Sequence, residues 1–134
     1  MGAGLRGQAS LEYLVITAFL LLSAGIFSIY AFGYFGDTKN AALGQGAVSK
    51  IASSSNLAAS LGNGSVIYFD VQFPDNAESL TVFNDYVGLS FVSSTGVGTS
   101  YAYSRASLTP VTIPVSAGRR TMSASFTDGN VVIR

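Results

Sequence analysis

Apolar and polar positions divide this chain into two regimes. From Tyr13 to Gly36 there are 24 consecutive residues without a charge, reading YLVITAFLLLSAGIFSIYAFGYFG. The apolar side chains are spread around every face of a helix and form no single stripe, which is the pattern of a membrane span or a fully buried helix. A helix of that length covers about 36 Å, enough for the ~30 Å hydrocarbon core of a bilayer. A central buried helix that long does not suit a chain of 134 residues, so the pattern predicts a membrane-compatible helix. Beyond Gly36 the polar cluster Asp37-Thr38-Lys39-Asn40 opens a segment rich in Ala, Ser and Gly. The gaps Val48/Ile51 and Leu57/Leu61 have helical spacing. The helix is expected to continue to about Leu61, with loosening near Gly33–Gly36 or Gly44–Gly46. The competing reading of 41–61 is a flexible Ala/Ser linker.

Leu61-Gly62-Asn63-Gly64-Ser65 punctuates the chain, and from Ser65 the alternation shifts to period two. Val66–Phe73 reads as a strand closed by Pro74-Asp75-Asn76. Leu80–Phe83 and Tyr86–Val92 flank Asn84-Asp85, and Ser93–Gly98 reads as a turn. Thr99–Ser104 and Leu108–Val115 follow, the second interrupted by Pro110 and Pro114 and so expected at an edge. Thr121–Thr127, Asp128-Gly129 and Asn130–Arg134 form a hairpin signal. Six or seven short strands at this spacing predict a small antiparallel sandwich or barrel-like domain. The expected class is α+β, a long N-terminal hydrophobic helix followed by a small β-sandwich-like head. The expected divisions are 1–7, a helix over 8–61 with its hydrophobic half at 8–36, and a head over 62–134.

Composition sharpens this by exclusion. Charged residues are 10% of the chain and apolar residues 49%, against roughly 25% charged in a typical domain. There is no cysteine and no histidine, and seven basic residues balance seven acidic ones. Disulfides, thiol nucleophiles, Cys-based metal sites and the commonest general base are excluded. The balanced charge gives no footprint for nucleic acid. Asp70, Asp75, Glu78, Asp85 and Asp128 lack metal-loop spacing, and Ser104/Arg105 and Arg119-Arg120 have no nearby base in sequence. Gly96-Val97-Gly98 lacks the lysine and helix of a phosphate loop. No enzyme activity, cofactor or metal is expected. The aromatic residues in and after the span are read as interfacial anchors and packing.

Two short features carry positive information. Asn63-Gly64-Ser65 is the one N-glycosylation triplet in the chain. Glu12 stands at the edge of the apolar run, where a carboxylate is costly unless paired and is a functional candidate; the plainer reading places it in the headgroup region or near a helix N-terminus.

The run Arg6-Gly7-Gln8-Ala9-Ser10-Leu11-Glu12-Tyr13-Leu14, followed at once by the uncharged span, resembles the processing motif of archaeal type IV pilin-like proteins, specifically the class III signal group with its Gln-x-Ser-x-Glu-Tyr pattern. The resemblance extends more loosely to Pro74–Ser79, Ala102–Thr109 and Gly129–Ile133, while the family's proline-rich segment after the stem is absent. It implies that a prepilin peptidase cuts the Gly7–Gln8 bond and removes a leader of residues 1–7. Gln8, Ser10, Glu12 and Tyr13 would then form the processing and assembly motif. Because the cut precedes the apolar helix, the mature subunit would keep it. The implied product is a structural subunit of an extracellular filament for adhesion or surface contact. Its implied partners are copies of itself in a helical homopolymer, the peptidase, a pilus assembly ATPase with its membrane platform, and the membrane before assembly. A minor pilin or pseudopilin, an archaellum subunit, and a membrane-anchored surface-binding protein that never polymerises are the other readings.

Overall fold

The computed structural model describes the backbone from Ala3 to Arg134 and the side chains from Gly7 onward; the implied leader falls largely outside the described residues. One helix, α1 (Ala3–Leu61), precedes seven strands. These are β1 (Val66–Phe73), β2 (Ala77–Val82), β3 (Tyr86–Ser93), β4 (Gly96–Tyr103), β5 (Val111–Pro114), β6 (Gly118–Thr127) and β7 (Asn130–Ile133). The architecture is therefore the expected α+β arrangement, a long apolar N-terminal helix followed by antiparallel sheets. The chain divides into two compact units, 1–36 and 37–134.

In the first unit the helix surface is apolar on all sides. The large hydrophobic residues from Leu11 to Phe35 are all about half exposed or more, from Ile26 at 49% to Tyr34 at 79%. Burying one such side chain is worth ~1.5–3 kcal/mol, so leaving this set in water forfeits on the order of tens of kcal/mol. The helix is long and apolar enough to cross a membrane by length and composition. Three of its hydroxyl groups turn inward on their own helix. Thr17 Oγ1 donates to Tyr13 O at 2.8 Å, Ser23 Oγ to Phe19 O at 2.9 Å and Ser28 Oγ to Ala24 O at 2.8 Å. Each donor is satisfied four residues back, as an apolar surrounding demands.

The second unit begins at Asp37 and includes the remainder of α1. That stretch is no linker. Ala47, Val48, Ile51 and Ala58 are buried and share one core with Phe69, Val71 and Phe73 of β1, Leu80 and Val82 of β2, Val87 and Leu89 of β3, and Met122, Ala124, Val131 and Ile133 of the last two strands. Helical structure runs through Gly44-Gln45-Gly46. At Gly44 the helix lies close against a sheet, since a β-carbon there would lie 3.1 Å from Ser100 Oγ and 3.2 Å from Phe91 Cε1.

The helix stops at Leu61 because Gly62 enters the left-handed region with φ +95°, the usual glycine stop. Ser65 Oγ donates to Ala58 O at 2.6 Å, satisfying one carbonyl left open by the helix end.

The strands form two antiparallel sheets, β1-β6-β7 and β4-β3-β2-β5. Several strand boundaries differ from expectation, among them that of β6, which starts at Gly118 rather than Thr121. The Ser93–Gly98 stretch is mostly strand, with only Ser94-Thr95 between β3 and β4. Gly98 pairs with Phe91, and a β-carbon at 98 would lie 2.7 Å from Phe91 Cε2, so the ring fills the space a side chain would need. Strand β2 starts at Ala77, with a bulge between Ala77 and Ser79. The expected Leu108–Val115 strand is ordered only over Val111–Pro114, as an edge strand pairing with β2. Leu108 instead makes an isolated parallel bridge to Val131 and is buried. The β6–β7 hairpin turns on Asp128 and Gly129, both with positive φ, as a two-residue turn of mirror-image type requires.

Candidate functional site

The motif residues lie on the first turns of the described helix. Gly7, Gln8, Ser10, Glu12 and Tyr13 are all exposed. A residue advances about 100° around an α-helix, so Gln8 and Glu12 share one face, about 40° apart. Val15, Ile16 and Phe19 continue that face, and Glu12 is its carboxylate. Ser10 falls nearly opposite. It lines a shallow surface groove with Tyr13, Leu14, Thr17, Ala18 and Leu21, the set that recurs every three or four residues. The helix thus brings Gln8 and Glu12 together and puts Ser10 elsewhere. A carboxylate at the edge of an all-round apolar surface is costly in an apolar surrounding unless it is paired.

Asn63 sits in the junction between α1 and β1 and is exposed. Its Oδ1 accepts the Asp128 N–H at 3.1 Å. Gly64 N donates to Phe126 O at 2.9 Å and Phe126 N to Ser65 O at 3.0 Å. The triplet is therefore presented on an ordered edge. A glycan would attach through Nδ2, which leaves the Oδ1 acceptor in use.

The sequence pattern did not single out the side chains that tie α1 to the second unit's loops. Asn56 Oδ1 accepts from Ser104 Oγ at 2.9 Å, Arg105 N at 2.8 Å and Ala106 N at 3.0 Å. Gln45 Nε2 donates to Tyr101 O at 3.1 Å. The Asp37 carboxylate accepts Ser94 N–H at 3.2 Å and the Ser94 hydroxyl, and these bonds hold its pKa below the ordinary value. Helical polar residues with long-range partners leave no periodic mark, so no local signal reveals them.

Charge chemistry in the second unit is sparse. Asp70 accepts Thr121 Oγ1 at 2.6 Å and pairs with Arg119 Nη2 at 2.9 Å across the β1–β6 register. The Thr121 bond, with the Arg119 charge adding to it, lowers its pKa. Among the described residues no group of three or more acidic side chains converges as a metal site would need.

The outer face of the four-stranded sheet carries a second feature. Phe83 and Tyr86 stack with ring centres 4.3 Å apart, and Tyr86 lies 6.0 Å from Tyr101 and 5.9 Å from Tyr103. The alternation Thr99, Tyr101, Tyr103 on β4 marks that face once its pairing to β3 is known.

Comparison with protein-family models, with curated proteins and with solved structures gave no match to this chain.

Proposed function

We propose that this chain is the structural subunit of an archaeal type IV pilus-like filament, polymerising through its apolar helix for adhesion or surface attachment. The observation that carries the reading is the helix surface from Leu11 to Phe35, apolar on every side and bearing Glu12 at its start. Such a surface needs lipid or other helices around it, and both are equally apolar. A plain anchor would need the span but no carboxylate at its edge. Cleavage of Gly7–Gln8 would expose an amine on the face that carries Glu12, where the glutamate of one subunit neutralises the Gln8 amine of the next. The precursor would sit in the cytoplasmic membrane and the mature subunit in a surface filament. Its partners would be prepilin peptidase, the assembly ATPase with its membrane platform, and other copies of the chain.

N-terminal sequencing of material sheared from cells tests the reading. Gln8 as first residue in filaments supports it. An intact Met1 on a dispersed membrane protein overturns it in favour of a non-polymerising anchor. A processed subunit present only in trace amounts within filaments of another protein would make it a minor pilin. Glu12→Ala is expected to leave cleavage intact and reduce assembly, and normal assembly would refute the pairing. We further propose that Asn63 is N-glycosylated; an intact mass equal to that of the bare chain would refute it.

A further inference from the structure

We propose that the outer face of the β4-β3-β2-β5 sheet is a binding site for a neutral glycan. Thr81, Phe83, Tyr86, Gly88, Ser90, Thr99 and Tyr101 line a cleft of about 220 Å³ on this face. The Tyr101 ring packs over the buried Gly88 of the neighbouring strand, where a β-carbon would touch Tyr101 Cδ1 at 3.4 Å and Cε1 at 3.5 Å. Tyr101 is 54% exposed, Tyr103 77% and Phe83 41%, so this is apolar ring surface held open to solvent.

The chemistry of the lining selects the ligand class. The lining side chains carry no charge, and aromatic faces stand beside three hydroxyl-bearing residues, Thr81, Ser90 and Thr99. A pyranose ring has one face of C–H groups that packs on an aromatic ring and a rim of hydroxyls that exchange hydrogen bonds with Ser, Thr and Tyr hydroxyls. A small set of oriented polar groups within an apolar lining is how such pockets fix a ligand. Nucleic acid and acidic glycans would need cations that the lining lacks. An apolar helix from another copy would leave the hydroxyls without partners, at a cost.

The platform is also preorganised. Gln45 donates to the Tyr101 carbonyl of the edge strand β4, and Asn56 accepts from the residues that follow Tyr103. Phe83 N donates to Tyr86 O and Ser104 N to Asp85 O, both at 2.8 Å, which fixes the two aromatic-bearing edges to each other. A backbone held this way loses little freedom on binding.

The inference stands on the second unit alone and goes beyond the filament reading. It is tested on the dispersed full chain in zwitterionic, sugar-free micelles, so failure to bind and failure to assemble are separate results. Saturation-transfer NMR is run with neutral hexose and N-acetylhexosamine oligosaccharides, with sialyllactose as the anionic comparison and a proline-rich peptide as the rival ligand. Transfer to ring C–H protons of a neutral oligosaccharide is expected. Tyr101→Ala should weaken binding about tenfold or more, while Tyr101→Phe stays within about threefold. Tyr68→Ala, on the other sheet, should change nothing, and unchanged circular dichroism of each variant separates lost binding from lost fold. No transfer to any neutral oligosaccharide at about 10 mM, full binding by Tyr101→Ala, or preference for sialyllactose or the peptide would each overturn the proposal.

Discussion

The three hydrogen bonds received by Asn56 Oδ1 make a strong claim about how α1 is fixed within the second unit. Asn56→Ala removes one acceptor and strands a hydroxyl and two backbone N–H groups. Each bond is worth ~0.5–1.5 kcal/mol net, so the simple expectation is about 3 kcal/mol. Two features reduce it. Ala106 N also reaches Ser104 Oγ at 3.2 Å, and Arg105 is exposed, so water replaces part of what is lost. About 2 kcal/mol remains, which for a domain of this size lowers the melting temperature by about 10 °C. Thermal melting of the full chain in micelles, followed by near-ultraviolet tyrosine dichroism, measures it. Amide exchange at Arg105 and Ala106 locates it. Asn56→Asp keeps an oxygen in place and should stay within about 0.5 kcal/mol of the parent. A melting temperature for Asn56→Ala within about 2 °C of the parent, or unchanged exchange at both amides, would refute the claim.

Three further outcomes follow from packing and titration. Ile51→Ala empties a fully buried helix position and should cost ~2–5 kcal/mol in denaturant unfolding; an effect near zero would return 41–61 to a linker. Gly98→Ala drives a methyl group into the buried Phe91 ring and should destabilise by ~1–3 kcal/mol, with displaced Phe91 ring resonances in NMR. Asp37 has a folded pKa below its unfolded value, so its bonds to Ser94 stabilise fully above the unfolded pKa and are lost as pH falls through the folded one. An NMR titration of the Asp37 carboxyl should show a midpoint below the ordinary one, and Ser94→Ala should move it back up.

The division between helix and strands is legible because it rests on period and length alone. The uncharged run from Tyr13 to Gly36 and the alternation after Ser65 each lead to the element found. The Asp128-Gly129 turn was equally direct, since its geometry needs residues that tolerate positive φ. The glycines of β4 misled for a physical reason. Gly96 and Gly98 look like a turn in sequence, yet Gly98 lies in a strand because Phe91 occupies the place of its side chain. Leu108 misled in the opposite sense: the pattern over 108–115 suggested a strand, while Leu108 forms one parallel bridge, its N–H donates to Asn84 O, and its neighbours Ser107 and Thr109 exchange hydrogen bonds with Val131 of β7. Of the motif residues, sequence gave identity and helical spacing gave the shared face of Gln8 and Glu12. The aromatic face was out of reach, because the rings come from β3, β4 and the end of β2, and only register assembles them.

On the filament reading proposed above, the inward-turned hydroxyls of Thr17, Ser23 and Ser28 bear on how easily the first helix would change surroundings. Each donor carries its acceptor with it, so moving the segment from acyl chains to a bed of neighbouring side chains breaks none of these bonds. Glu12 is different: among the described residues no side-chain donor on its own helix bonds its carboxylate, which would have to trade one set of neighbours for another. On that reading the cost of extraction, and hence its control, would be concentrated at one end of the segment, and the remaining length would act as a passive surface equally at home in two media of similar polarity.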